Sequence, residues 1–459
     1  MPNLFIRTST ITKWNTSGRL DEMKIDDNLP AEKVKAYWLG WLIKVCVLLF
    51  ACISLWRLFH HVPYTVAIPA PPPLPHPNAF DYDLQAGEEL RSYGVGGIWG
   101  TISYYRISPG HYSPAIKDKV LADNLWALDK LHEGFYYAYQ SPPIRSFKHP
   151  IDQYYRDAGE LAALLALSAD RCAARSDWPG AVNANLDAIR LGTDMARHAP
   201  WTGVECGLRI QFTGRQDLWK ALGHLDAAQA RAAMARMHDL IRQQVSLADM
   251  LQEEKWAMQA SLLELFQDAD WRQELWTMTA GGPWPDTRNV AIRWMDPHQT
   301  WVFHEMRTPQ QVMDAYTAVM DAMIAQARRP YADGTRISLA PCSVVERLSW
   351  MPAKSADYVT TNEAENTMLL TAFALQAFHT EHGGYPTSLA ALVPGYLPAM
   401  PADPFAPAGA TLKYKQQGTK YLLYSVGPNG KDDGGKKIDS NSDYWHGVQR
   451  YSGDVVAGM

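Results

Sequence analysis

Nineteen consecutive residues, Trp38 to Trp56 (WLGWLIKVCVLLFACISLW), carry one charge between them, that of Lys44. A run that is apolar on every helical face cannot lie on a water-exposed surface, so it must enter a core, be cleaved off, or sit in a bilayer. At a rise of about 1.5 Å per residue it spans about 28 Å, the hydrocarbon thickness of one membrane. Trp38, Trp41 and Trp56 stand near its ends, where interfacial aromatics gather, and Lys44 is within snorkelling reach of the nearer interface. About 35 mostly polar residues precede the run and no small-residue cleavage site follows it directly, so a signal peptide fits poorly. A buried helix of a soluble domain is the other rival. The expectation is one transmembrane helix over residues 36–59, with residues 1–35 as a cytoplasmic tail.

Orientation follows from the flanking charge. Lys33 and Lys35 precede the span, with Arg7, Lys13, Arg19 and Lys24 further upstream, while Arg57 and two neutral histidines follow it. The positive-inside rule places the N-terminus in the cytoplasm and the remainder across an inner, or cell, membrane, in the periplasm. Pro63 to Pro77 (PYTVAIPAPPPLPHP) then places seven prolines in fifteen residues. Such a segment is a stiff polyproline II spacer of about 45 Å at about 3.1 Å per residue, so residues 60–80 read as a Pro-rich linker.

From about Ala115 to Gln267 apolar residues recur at helical spacing. Leu161, Leu164, Leu165 and Cys172 line one helix, Ser176 to Gly180 (SDWPG) breaks it, and Ala181, Ala184, Ala188, Ile189 and Met195 line the next. This hairpin is weakly similar to one tetratricopeptide repeat, through Trp178 and Gly180 at the turn and Ala188-Ile189 beyond it. No second copy recurs at the period such a solenoid needs, so an irregular helical domain over residues 81–358 is expected. Asp226 to Phe266 reads as a long helical run broken near Ser246. Gln310 to Arg328 reads as a further helix, and Tyr331 to Tyr358, with Pro341 and Pro352, as a connector.

Chemistry is sparse in this region. Glu205, Glu253 and Glu254 are carboxylates on expected helices, and solvation or salt bridging is their commoner role. His298 and His304 lack the HExxH spacing of a zinc site. Gly94 to Gly100 has the glycines of a dinucleotide loop without the strand and helix to frame it. The Trp-rich stretch from Trp271 to Trp301 suits either a partner surface or an elaborated loop packed on the helices. Cys172, Cys206 and Cys342 show no CxxC spacing; a Cys172–Cys206 disulfide and free thiols both remain open. A net charge of −5 lacks the basic surplus that nucleic acid requires. The expectation is a protein without enzymatic activity, whose partners are a membrane and other proteins, and not nucleic acid.

The most patterned stretch is the last. Glu363 to His382 reads as an amphipathic helix with Met368, Leu369, Ala372, Leu375 and Phe378 on its apolar side, ended by Gly383-Gly384. Ser388 to Val393 suggests a short helix. Pro394, Pro398, Pro401 and Pro404 stiffen a loop, and Thr411 to Tyr414 with Lys420 to Ser425 alternate as a hairpin.

Taken in order, Gly384-Tyr385-Pro386-Thr387, Leu392-Val393-Pro394, Tyr396-Leu397-Pro398, Asp403-Pro404-Phe405 and Tyr424-Ser425-Val426-Gly427-Pro428-Asn429-Gly430 resemble the head of the major pseudopilin of type II secretion systems. The resemblance runs from about Thr361 to Trp445. It implies an α+β head, a long helix on a small antiparallel sheet, over residues 359–459, and a link to a type II secretion or pilus-like apparatus that the head would join through its helix face. Family members bind calcium in the last loop, which implies Ser425, Asn429, Asp432, Asp433, Asp439 and Asp443 as its oxygen ligands here; a solvated turn is the alternative. Asn429 stands where the family often has Asp, and Lys431, Lys436 and Lys437 add positive charge nearby. The chain also lacks the family's start, a basic leader and a Phe-Thr-Leu-x-Glu entry into the apolar helix. Pseudopilin processing and ordinary packing as a filament subunit are therefore not expected. The expected fold class is multi-domain: a transmembrane helix, an irregular helical middle and an α+β head. A helical-repeat adaptor or peptide-binding protein of the periplasm is the alternative function.

Overall fold

The computed structural model describes residues 11–14, 20–23, 39–50, 66–88, 90, 113–146, 152–268, 270–272, 274–275, 308–334, 344–438 and 453–457. They belong to two compact units, residues 1–65 and residues 66–459. In the first, β1 (Ile11–Trp14) pairs antiparallel with β2 (Leu20–Met23), Ile11 opposite Met23 and Trp14 opposite Leu20. Residues 39–50 are helical, and Leu39, Trp41, Leu42, Ile43, Val47, Leu48, Leu49 and Phe50 are all exposed. Among the described residues no helix is long and apolar enough to cross a membrane. Residues 36–38 and 51–59 of the expected span lie outside the described residues.

In the second unit, local capping chemistry sets where many helices begin. Ser113, Asp177, Asp226, Ser246 and Thr308 each accept a backbone N–H from the first turn of the helix that follows, satisfying a donor the helix leaves unpaired. The helices are α1 (Ala79–Glu88), α2 (Pro114–Asp123), α3 (Leu125–Gly134), α4 (Asp152–Ala174), α5 (Trp178–Ala196), α6 (Trp201–Leu222), α7 (Ala227–Arg242), α8 (Leu247–Leu265), α9 (Pro309–Ala327) and α10 (Val344–His382). The break expected over Ser176 to Gly180 is confined to residues 175–177, α5 already starting at Trp178, and Ser246 separates α7 from α8 as the sequence indicated. Asn78 fastens the end of the proline segment to the unit: its amide donates to the Gln140 carbonyl at 2.8 Å and accepts from the Gln140 N–H at 3.1 Å.

Helices α5 and α6 cross on glycine. A Cβ added to Gly192 would lie 2.4 Å from the Gly207 carbonyl oxygen, and one added to Gly207 equally close to the Gly192 carbonyl. Only glycine allows two backbones this near.

Helix α10 is the largest departure from expectation. The stretch from Val344 to Tyr358, expected as part of a connector, is helix, and Pro352 lies inside it. An interior proline costs a helix about 3 kcal/mol. Val345, Leu348, Ser349, Ser355 and Val359, buried on either side of it, show the tertiary packing that offsets this cost. At 39 residues the helix is about 58 Å long. It is also not one-sided. Leu369, Ala372, Phe373 and Ala377 pack with Val182, Leu186, Leu218 and Met237 of α5–α7. Ala364, Met368, Ala374 and Leu375 pack with Leu392, Phe405, Leu412, Leu423 and Val455 of the C-terminal region. The boundary expected at residue 359 falls within this helix.

The sheet is three-stranded and antiparallel, in the order β3 (Lys413–Gln417), β4 (Lys420–Ser425), β5 (Val455–Val456). Gly418, at φ 65°, is the first residue of the two-residue β3–β4 turn, with Gln417 opposite Lys420. The protein is thus mostly helical, with a small antiparallel sheet near its C-terminus.

Replacing Gly207 by Ala is expected to destabilise the protein by about 1–3 kcal/mol in urea unfolding, because the added methyl must push the α5 and α6 backbones away from each other. Gly223→Ala, at the end of α6 with no atom within 4 Å of the new Cβ, is the matched control and should stay within about 0.5 kcal/mol.

Candidate functional site

The motifs of the C-terminal region bind one another. Asp403, from the Asp-Pro-Phe element, is buried, and its Oδ1 accepts the Phe405 N–H at 3.0 Å and the Ser425 hydroxyl at 2.6 Å. Its Oδ2 accepts the Val426 N–H at 3.0 Å. One carboxylate therefore holds the proline loop against the end of β4. Phe405 fills the core beneath it, edge-on to Tyr331 at 4.8 Å. The Tyr-Pro element is held in the same way. Its carbonyls accept from the Tyr414 hydroxyl (2.7 Å, to Pro386) and the Gln416 amide (2.8 Å, to Tyr385), while the Tyr385 ring stacks on His379.

The last loop carries the residues expected to ligate calcium. Ser425 is turned inward by its bond to Asp403. Asp432 accepts the Tyr424 hydroxyl at 2.9 Å and the Gly434 N–H at 3.0 Å, and lies 3.3 Å from the Lys413 ammonium. These partners, the Gly434 N–H foremost, hold the Asp432 carboxyl below its usual range. Asp433 accepts the Asn429 amide at 2.9 Å and the Gly453 N–H at 2.8 Å. Asp439 and Asp443 lie outside the described residues. Asn429, Asp432 and Asp433 thus share one loop, and Ser425 serves the core.

The sequence reading missed Asp454. It is buried and accepts the N–H groups of Asp433 at 3.2 Å and Gly435 at 2.6 Å, closing the loop onto β5. Burial raises its pKa; the two N–H groups work against that, and the Asp433 and Asp432 charges add to it. An aspartate between a glycine and two valines, Gly453-Asp454-Val455-Val456, was the available signal. As to metal, the donors present are committed to N–H groups, a hydroxyl and a lysine. Among the described residues no group of three His, Cys, Asp or Glu side chains is arranged to hold an ion. The described residues of the loop do not by themselves fit calcium.

The other carboxylates raised by the sequence have structural partners. Glu205 pairs with Arg209 at 2.7 Å and Glu253 with Arg145 at 3.0 Å, and Glu254 accepts the Trp201 N–H at 2.8 Å. Trp271 is buried edge-on to Phe266 at 5.0 Å. Gly94 to Gly100, His298, His304, Cys342 and the remaining tryptophans of that stretch lie outside the described residues. Cys172 and Cys206 are not joined in a disulfide.

A second charged cluster, not anticipated, sits between α1 and α5. Asp83 is 3% exposed and its Oδ1 has no hydrogen-bond partner. Beside it Asp194 is held by Arg197 at 2.7 Å and Arg190 at 3.5 Å. Burial, with the Asp194 charge added and Arg190 opposing, pushes the Asp83 pKa well up. Compared with known proteins, the chain matches no protein-family model, no curated protein and no solved structure.

Amide substitution tests both Asp403 and Asp83. Asp403→Asn swaps an acceptor for a donor against N–H and O–H groups and should cost about 2–4 kcal/mol in chemical denaturation, with Ser425→Ala costing about 1–2 kcal/mol. For Asp83 the sign is the reverse of the usual acid. Its pKa is raised on folding, so its contribution is most favourable below the unfolded pKa of about 3.9 and is lost as pH rises toward the folded value. The stability of Asp83→Asn relative to the parent should therefore climb between pH 4 and pH 7, read from paired melting curves.

Proposed function

We propose that the chain is a membrane-anchored, non-enzymatic component or accessory of a type II secretion or pilus-like apparatus, displaying a pseudopilin-like head in the periplasm. The observation that carries this reading is a long helix packed on a three-stranded antiparallel sheet, joined by motifs in the pseudopilin order and tied by Asp403. The exposed apolar side chains of residues 39–50 support a membrane anchor, because water is a poor solvent for all of them, and the basic residues before them support an N-terminus inside.

The docking mode differs from the one the sequence suggested. The helix face opposite the sheet is covered by α5–α7 of the same chain, so partners must use other surfaces of the head. The β3–β4 turn and the loop from Pro394 to Met400 present exposed residues for this. Calcium belongs to the reading only if Asp439 and Asp443 complete what the described loop lacks.

Deleting the protein should impair export of secreted proteins, and crosslinking from membranes should recover secretion components. Normal secretion together with other envelope partners would instead favour a periplasmic adaptor. A thermal shift in millimolar calcium, reversed by chelator, would support the metal; no shift would remove it.

A further inference from the structure

Strand β3 forms one edge of the sheet, and its backbone shows which of its groups face outward. The Ala457 N–H donates to the Leu423 carbonyl at 3.0 Å, so Leu423 turns its backbone groups to β5 and away from β3. Tyr414, paired with Leu423, therefore points its own N–H and C=O away from β4, and Gln416, two residues on, does the same. Leu412, two residues back, also points outward and gives its N–H to the Pro401 carbonyl at 3.0 Å. The proline loop thus pairs this edge as far as Leu412. Among the described residues the outward N–H and C=O groups of Tyr414 and Gln416 have no partner.

Side chains decide what such an edge accepts. Lys413, Lys415 and Gln417 lie on one face of the sheet with their β4 partners Tyr424, Leu422 and Lys420. Tyr414 and Gln416 lie on the other face, where Tyr414 packs against the core that holds Leu423. Lys415 and Lys420 are exposed and have no acidic partner among the described residues, while Lys413 has Asp432 at 3.3 Å. Two copies of β3 set edge to edge would bring their lysines together on one face, and like charges across a sheet repel. A strand that alternates acidic residues on the lysine face with apolar residues on the Tyr414 face avoids this repulsion and fits both sides.

We propose that the outer edge of β3 takes an extended acidic segment of a partner protein by strand addition. The backbone of the added segment bonds Tyr414 and Gln416, and its carboxylates face Lys413 and Lys415. Backbone pairing supplies the attachment, and the lysines select the partner by charge. The inference rests on the reading above only in taking the head as the docking part. Its test reads the edge itself and not secretion, so the two can fail separately.

Hydrogen exchange resolved to single amides, in the full chain held in lipid nanodiscs, tests it. The probe is a short synthetic peptide alternating Glu and Val. In millimolar peptide the Tyr414 and Gln416 amides should slow about fivefold or more, while that of Lys415, already turned to β4, should not change. A Lys–Val peptide should leave all three as they were, and Lys415→Glu, at an exposed side chain, should remove most of the Glu–Val effect. No slowing by the Glu–Val peptide overturns the proposal. So does equal slowing by the Lys–Val peptide, or by a Glu–Pro peptide that cannot complete a ladder. Slow exchange of both amides before any peptide is added also overturns it, since the edge would then be filled by the chain itself or, where the slowing grows with protein concentration, by a second copy.

Discussion

Helix α10 is buried on two sides, and the rest of the second unit is arranged around that fact. One side supplies Leu369, Ala372, Phe373 and Ala377 to the core of α5–α7; the other supplies Ala364, Met368, Ala374 and Leu375 to the core of the sheet and proline loop. A small two- or three-stranded sheet is marginal alone and needs a helix to cover it. Here the covering helix is itself pinned from behind, so sheet and helical layer share one structural member.

The seam along α10 is polar as well as apolar. Arg215 donates to Asn362, Asn366 and Glu365, and Gln211 accepts the amides of both asparagines at 3.0 Å. Gln376 donates to the Leu225 carbonyl at 2.9 Å. Apolar contacts alone would allow α10 to slide or turn against its neighbours. A buried guanidinium with all its partners met at one register does not, because any shift strands a charge away from water. Glu381 adds an exposed tie: Arg231 and the Tyr396 hydroxyl hold its carboxyl down to about 2.

Asp403 and Asp454 do related work in the head. Each is a buried carboxylate that receives backbone N–H groups from a loop distant in sequence. In a head with little regular sheet, such bonds replace the missing ladder. They also account for two motif elements 22 residues apart: the Asp-Pro-Phe aspartate and the serine at the end of β4 are two ends of one hydrogen bond.

What the sequence determined by itself was local. Capping residues fixed helix starts at Asp177 and Ser246, glycines ended α10 and turned the β3–β4 hairpin, and prolines marked the rigid loop, because each acts within a few residues of its own position. Tertiary structure decided the rest. Pro352 marked a connector by every local rule and lies in a helix, since burial on both sides of it outweighs the lost hydrogen bond. The second hairpin strand lies at Lys420–Ser425 as the alternation indicated, whereas the first shifts from Thr411–Tyr414 to Lys413–Gln417, because pairing with β4 extends past the local alternation. Gly192 and Gly207, and Arg215 with its asparagines, carry no local signature. Their roles come from partners 15 to 155 residues away, and a sequence records such residues without recording what they meet.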